Sequence, residues 1–109
     1  MNKLSKRLET VASFIDKKDK SVIDIGCDHG LLSIFLAEKY QNLNIIASDV
    51  NDNALESARR NVSKYKLEDR IDIRLGSGLS VIKESDHIDT IVIAGMGANT
   101  IIAVSYTHL

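Results

Sequence analysis

A glycine-containing segment between two apolar runs limits the folds open to this sequence. Ser21–Ile25 is a short apolar run, residues 24–30 read DIGCDHG, and residues 31–40 are apolar on nearly every side. A strand, a tight turn and a buried helix in this order form the first half of a β–α–β unit. This part of the chain therefore predicts a sheet whose strands are connected by helices.

The same alternation continues along the chain. It predicts a strand at residues 44–48 that ends at Asp49, a helix at 53–65 capped by Asn53, a strand at 71–75, a helical turn at 79–83 and a strand at 88–94. Strands that alternate with helices imply right-handed crossovers and a parallel sheet. The predicted fold is α/β, a Rossmann-like doubly wound and mainly parallel sheet of about four strands, which binds ligands at the carboxyl ends of its strands.

Length and composition fit one globular domain. The chain has 109 residues, 44% of them apolar and 27% charged, and no apolar run approaches the roughly 18–20 residues of a membrane span. A single cysteine, Cys27, excludes an internal disulfide and fits the reducing cytoplasm. No Cys/His cluster has metal-ligand spacing. We therefore expect a cytoplasmic protein without a metal or a membrane partner.

The first residues differ from the rest in charge. Residues 1–20 hold six cations and three anions, whereas the remaining 89 hold eight cations and twelve anions. Apolar residues at helical spacing predict an amphipathic helix over residues 3–16. Its cations Lys3, Lys6 and Arg7 could contact a phosphate backbone, or they could form an ordinary solvated helix face; both interpretations stay open.

The loop after the first strand indicates the kind of ligand. Gly26 and Gly30 allow the backbone to turn tightly and approach a ligand. A dinucleotide-binding loop needs a glycine where this chain has Asp28, whose charge would oppose a phosphate. S-adenosylmethionine has no phosphate, and its ammonium group favours a carboxylate. Asp24 and Asp28 therefore favour S-adenosylmethionine over NAD.

Later strand ends extend the predicted site. Asp49 lies 23 residues after Gly26 and can accept hydrogen bonds from both ribose hydroxyls. Residues 76–78 can surround an adenine, with Leu79 and Val50 on its faces. The predicted cofactor residues are Asp24, Gly26, Cys27, Asp28, Gly30, Asp49, Val50, Gly76, Ser77 and Gly78.

Three further side chains have alternative interpretations. Cys27 is interpreted as a small filler in the loop and not as a nucleophile, because no partner base is near it in sequence. His29 could position a substrate or move a proton, or it could cap the helix that follows. His87 is interpreted as a surface loop residue.

Several segments together resemble one family. LSKRLETVASFI, DIGCDHG, ASDVN, RIDIRLGSGLSVI and IDTIVIAGMG look like the bacterial tRNA (adenine-N1)-methyltransferase family of TrmK type, over Leu4 to about Ala103. The resemblance implies methyl transfer from S-adenosylmethionine to N1 of adenine 22 in tRNA. It implies Asp28 and His29 as catalytic candidates. Ser77 stands where the family more often has Asp, so we expect somewhat weaker cofactor binding.

The resemblance also implies that the chain is incomplete. The family continues into further strands and a helical extension, so residues 1–103 are expected to be part of a methyltransferase domain. Residues 104–109 are expected to be a non-native tail, and the fourth strand is expected to be an exposed apolar edge. Three alternatives stay open: a methyltransferase with another acceptor, a domain that uses NAD, and a module that binds S-adenosylmethionine without transferring a methyl group.

Overall fold

The computed structural model describes residues 20–94 continuously, residues 6, 9, 10, 13 and 15 before them, and the backbone of residues 101–105 after them. The strands are β1 (Ser21–Ile25), β2 (Asn44–Asp49), β3 (Ile71–Leu75), β4 (Thr90–Ala94) and β5 (Ile101–Ser105). The helices are α1 (Leu31–Lys39) and α2 (Asp52–Lys64). Two short 3₁₀ helices, Gly78–Val81 and Glu84–Asp86, connect β3 to β4.

The strands form one sheet in the order β3-β2-β1-β4-β5. β1 pairs in parallel with β2 and β4, and β2 pairs in parallel with β3. The chain runs outward from β1 to β3 and then returns to the other side of β1. The order of the strands therefore reverses between β1 and β4, and ligands bind at such switch points in open α/β sheets. This topology confirms the predicted Rossmann-like fold.

The fifth strand was not predicted. β5 pairs antiparallel with β4, so that Thr90 lies opposite Ser105 and Ala94 lies opposite Ile101. The expectation that β4 would be an exposed edge is therefore wrong. The β-branched residues of this segment favour a strand, and the boundary predicted at residue 104 falls inside it. Residues 106–109 lie outside the described residues.

One core lies between the sheet and the two helices. α2 buries a single stripe of residues at helical spacing, Leu55, Ala58 and Val62, whereas α1 is buried on several sides. These side chains pack on the β1–β3 face that carries Val22 and Ala47. A smaller cluster covers the opposite face of the sheet and contains Ile23, Ile46, Ile88 and Ile91.

The cap of α2 differs from the prediction. Asn51, not Asn53, caps this helix: its side-chain oxygen accepts from the amides of Asn53 and Ala54 at 2.9 and 3.2 Å. Asn51 has the extended backbone angles typical of an N-cap residue, and it lies two residues after the end of β2.

The leading helix is shorter than predicted. Lys6, Glu9 and Thr10 have helical backbone, but Ser13 lies in a turn and Ile15 in a bend. The Ser13 hydroxyl donates to the Thr10 carbonyl at 2.5 Å, a local bond that competes with continued helix. The other residues of the predicted helix lie outside the described residues. Within the described ranges, none of the helices is long and apolar enough to cross a bilayer.

Candidate functional site

The predicted site residues lie at the carboxyl ends of β1, β2 and β3. The structure also has a cavity of about 550 Å³ at the amino ends of the same strands, lined by Ser21, Asn44, Ile71 and Arg74 among others. Two of its charged groups, Arg74 and Asp86, already bond to each other. We therefore assign the functional site to the carboxyl ends, where parallel α/β sheets bind ligands.

The loop between β1 and α1 is tied to the neighbouring strand by its backbone. The amides of Gly26 and Cys27 both donate to the carbonyl of Ser48 at 2.9 Å. Gly26 and Gly30 have φ values of 73° and 77°, which glycine adopts at little cost. Asp28 also has a positive φ, 53°, a conformation that Asp tolerates better than most residues. The loop therefore turns tightly, as predicted.

Asp49 connects three strand ends. One of its carboxylate oxygens accepts from the amide of Asp28 at 3.0 Å, and the other accepts from the amide of Asn51 at 2.9 Å. Its carbonyl accepts from the amide of Gly76 at 3.0 Å. Each carboxylate oxygen has a second lone pair. Asp49 can therefore fix the loops and still accept hydrogen bonds from a ligand.

The two acids on either side of Gly26 have opposite environments. The Asp28 side chain is 68% exposed, whereas Asp24 is 1% exposed and accepts a 2.8 Å hydrogen bond from the Ser33 hydroxyl. Burial raises the pKa of Asp24 to about 7, the Ser33 hydrogen bond opposes this shift, and the charge of Asp49 adds to it. Asp28 is thus the open carboxylate, and Asp24 is a buried one.

His29 and Cys27 differ in accessibility and in contacts. The His29 side chain is 58% exposed; its Nδ1 lies 2.7 Å from Ser57 Oγ and its Nε2 lies 3.8 Å from an Asp28 carboxylate oxygen. Cys27 is buried, and burial raises the pKa of its thiol to about 12. A buried neutral thiol agrees with the interpretation of Cys27 as a filler. His87 is exposed, as predicted.

The loop after β3 presents apolar side chains beside these polar groups. Gly76 lies so close to Val81 that a Cβ at this position would be 2.3 Å from Val81 Cγ1. Val50 and Leu79, predicted for the faces of an adenine, are 68% and 49% exposed. Exposed apolar side chains at a strand end suit a flat ring better than they suit water. The glycines at 95 and 97 lie outside the described residues.

Four supporting residues were not predicted. Ser33 bonds to Asp24, and Asn51 bonds to α2. Ser57 and Asn61 reach the first loop from α2, where the Asn61 side chain donates to the carbonyl of His29 at 2.8 Å. Only Asn51 has a sequence signal, because an Asn immediately before a helix is a common cap. Across the described residues, no group of three or more potential metal ligands occurs.

Comparison with known proteins places this geometry in a family. A family model described as a methyltransferase domain matches residues 4–107. The chain is 42% identical over 95 residues to the tRNA (adenine(22)-N(1))-methyltransferase of Bacillus subtilis, a match that covers 87% of this chain and 39% of the relative. The chain thus spans well under half the length of that relative.

Solved structures agree with the sequence comparison. The crystal structure of the B. subtilis M1A22 tRNA methyltransferase TrmK matches with a TM-score of 0.75 and 40% identity, over 84% of this chain and 38% of that one. M. capricolum TrmK in complex with S-adenosyl-homocysteine matches with a TM-score of 0.74 and 34% identity, over 82% and 40%. Fold, strand-end loops and sequence together show that this chain belongs to the family of methyltransferase domains.

Proposed function

We propose that this chain is the S-adenosylmethionine-binding part of a tRNA (adenine-N1)-methyltransferase that acts on adenine 22. The observation that carries the proposal is the position of Asp49, whose carboxylate accepts from the amide of Asp28 and so joins the first two loops. Asp28 itself stands where a dinucleotide-binding loop needs glycine. The resemblance to the Bacillus enzyme supports tRNA as the substrate. A tRNA substrate and a lone buried cysteine both fit a cytoplasmic protein.

The residues present fit the cofactor. The carboxylate of Asp49 would accept from the ribose hydroxyls, and Val50 and Leu79 would cover the faces of the adenine ring. The glycines of the first loop would let its backbone approach the amino-acid end of the ligand closely. Ser77, with Gly76 and Gly78 on either side, would meet the edge of the adenine. When bound, S-adenosylmethionine supplies a methyl group that its sulfonium charge has already activated.

The chain's contribution to the reaction is mainly to bind, orient and exclude water. N1 of an adenine normally lies inside a base pair, so the target base has to leave its pair to be reached. Methylation at N1 leaves the base with a positive charge. The exposed carboxylate of Asp28, with His29 beside it, is our candidate for stabilising that charge. Asp28→Ala with full turnover would exclude an essential role for this side chain.

Contact with tRNA would involve the basic leading segment. Lys6 is exposed, and Lys3 and Arg7 are its neighbours in sequence. Each cation on a phosphate releases counterions, so loss of all three should weaken binding and flatten its salt dependence. The test is the affinity of a Lys3/Lys6/Arg7 triple alanine variant for tRNA across a range of salt concentrations. Unchanged affinity and salt slope would exclude this contact.

The activity is best tested in a chimera, because the chain covers only 39% of the Bacillus relative. In the chimera, this chain replaces the matching part of that enzyme. We expect methyl transfer from labelled S-adenosylmethionine to a tRNA with adenine at position 22, and none to the same tRNA with guanine there. An Asp49→Ala chimera serves as the inactive control. A folded chimera that binds S-adenosylhomocysteine but methylates neither tRNA would indicate a binding module instead.

A further inference from the structure

One side of α2 supports the tip of the first loop. Ser57, Ala58 and Asn61 lie on the same side of this helix. Ser57 Oγ is 2.7 Å from His29 Nδ1, and the Asn61 side chain donates to the His29 carbonyl at 2.8 Å. A Cβ on Gly30 would approach Ala58 Cβ to 3.2 Å. Three neighbouring positions of one helix therefore contact two consecutive residues of the loop.

These contacts do more than complete the fold. Ser57 and Asn61 are half-buried polar residues on a helix whose core stripe is apolar. They hold both the side chain and the backbone of His29, which lies between the exposed Asp28 and the first residues of α1. A loop that binds a ligand through backbone and short side chains needs such support, because each disordered residue costs binding free energy.

The contact from Ser57 also determines which nitrogen of His29 faces the site. Nε2 lies 3.8 Å from an Asp28 carboxylate oxygen. If Nδ1 donated to Ser57 in a neutral imidazole, the bare Nε2 would face that carboxylate and repel it. If Ser57 donates to Nδ1, Nε2 carries the proton and attracts the carboxylate. The arrangement of the three residues favours the second case.

We propose that Ser57 and Asn61 are positioning residues, which hold His29 with its Nε2–H toward Asp28 and so order the first loop for the cofactor. This inference rests on the proposed function, since the ordered loop is the cofactor loop. In this arrangement His29 orients Asp28. The nitrogen of the neutral imidazole that faces the site, Nε2, carries the proton, so it cannot act as a base there.

The test combines two measurements on this chain. Ring ¹⁵N spectra of His29, recorded without cofactor, report which nitrogen carries the proton and whether Ser57 contacts it. Calorimetry gives the affinity for S-adenosylhomocysteine. The variants are Ser57→Ala, Ser57→Thr and Asn61→Ala, with Ser63→Ala as the matched control, because Ser63 is an exposed residue on the same helix. Serine to alanine favours the helical state, so a loss of affinity cannot be due to a weakened helix.

We expect Ser57→Ala to change the ¹⁵N chemical shifts of the His29 ring. We also expect it to weaken S-adenosylhomocysteine binding by about three- to tenfold, which is typical of the loss of one hydrogen bond. Ser57→Thr should restore both, because it keeps the hydroxyl. Asn61→Ala should weaken binding to a similar extent but change the ¹⁵N chemical shifts of the ring little, because the Asn61 side chain contacts the His29 backbone. Ser63→Ala should change neither.

Two results would overturn the positioning role. The first is that the ¹⁵N chemical shifts of the His29 ring stay unchanged in Ser57→Ala. The second is that the affinity for S-adenosylhomocysteine stays within about twofold in both alanine variants. If the unaltered chain does not bind S-adenosylhomocysteine, the proposed function fails and the role in cofactor binding fails with it. The ring spectra need no cofactor, so they would then still decide whether Ser57 holds His29.

Discussion

Asp24 and Asp86 are two poorly exposed aspartates at opposite ends of the sheet, and their environments shift their pKa values in opposite directions. Asp86, near the amino ends of the strands, bonds to Arg74 at 2.7 and 3.0 Å, and this contact lowers its pKa to about 2. Asp24, near the carboxyl ends, accepts a 2.8 Å hydrogen bond from the neutral Ser33 hydroxyl, and burial raises its pKa to about 7.

The difference shows how the two ends are used. Near the amino ends, several charged groups have partners within the chain: Arg74 bonds to Asp72 as well as to Asp86, and Asp89 accepts hydrogen bonds from the amides of Lys20 and Ser21. At the carboxyl ends, Asp28 and Val50 are exposed. Paired charges stabilise the sheet, whereas the exposed carboxylate and apolar side chains remain available to a ligand.

The largest expected effect concerns Asp24 and pH. Because its pKa rises from 3.8 to about 7 on folding, the folded state holds a proton that the unfolded state releases. The stability from this group is fully present below pH 3.8 and is lost as the pH rises through about 7. Asp24→Asn keeps the acceptor for Ser33 and removes this loss. The free energy of unfolding of the variant, relative to that of the unaltered chain, should therefore rise with pH by up to about 1.4 kcal/mol per pH unit.

Urea unfolding between about pH 5 and about pH 8 measures this difference. Asp69→Asn is the control, since Asp69 is exposed, and its stability should run parallel to that of the unaltered chain. Parallel curves for Asp24→Asn as well would mean that Asp24 ionises normally, and the contrast with Asp86 would disappear.

Arg74→Ala tests the paired end. The substitution leaves the Asp86 carboxylate without its guanidinium partner, and we expect it to lower the free energy of unfolding by about 3 kcal/mol. Arg59→Ala is the control: its partners are exposed carboxylates, so its effect should be below about 1 kcal/mol. Equal effects of the two substitutions in urea unfolding would show that the Arg74 cluster is no more than a surface ion pair.

Gly76→Ala tests how tightly the third loop is packed. The new methyl group would lie 2.3 Å from Val81 Cγ1, and Val is stiff at χ1, so the loop has to move. We expect a loss of about 2 kcal/mol of stability, together with weaker binding of S-adenosylhomocysteine. Thermal unfolding of the Gly76→Ala/Val81→Ala double variant should show partial recovery. No recovery would indicate that the cost arises elsewhere.

Asp49→Asn tests the open end and is expected to affect stability least. Asparagine keeps one side-chain oxygen, so one of the two amide contacts to Asp28 and Asn51 can persist. The charged acceptor for the ribose is lost, and we expect affinity for S-adenosylhomocysteine to fall by about tenfold or more. Calorimetry checks this, with Asp52→Asn as an exposed control on α2. Equal affinities in the two variants would remove Asp49 from the proposed site.

Much of the fold was predictable because its signals are local. The apolar runs and the glycine-containing turn predicted β1 and α1 closely, and the acids and glycines after the strands marked the carboxyl ends correctly. β5 was missed because the boundary expected at residue 104 divides its apolar run, although β5 begins only seven residues after β4 ends. The cap at Asn51 was missed because Asn53 has the same chemistry two residues later.

The site was harder to predict than the fold, because its support comes from distant parts of the chain. The sequence indicates that Asp24 is acidic and lies near the end of a strand, but not that it is buried against Ser33. Likewise, Ser57 and His29 are 28 residues apart in sequence. Their contact depends on how α2 packs on the sheet, and no local pattern encodes that packing.

The most direct test of the central claim is a calorimetric titration of this chain with S-adenosylhomocysteine and, separately, with NAD. The arrangement of Asp28 and Asp49 predicts that S-adenosylhomocysteine binds at one site per chain and that NAD, whose phosphates would meet the Asp28 carboxylate, does not. Circular dichroism on the same sample establishes that it is folded. Binding of NAD, or no binding of S-adenosylhomocysteine by the folded chain, would contradict the assignment of this site.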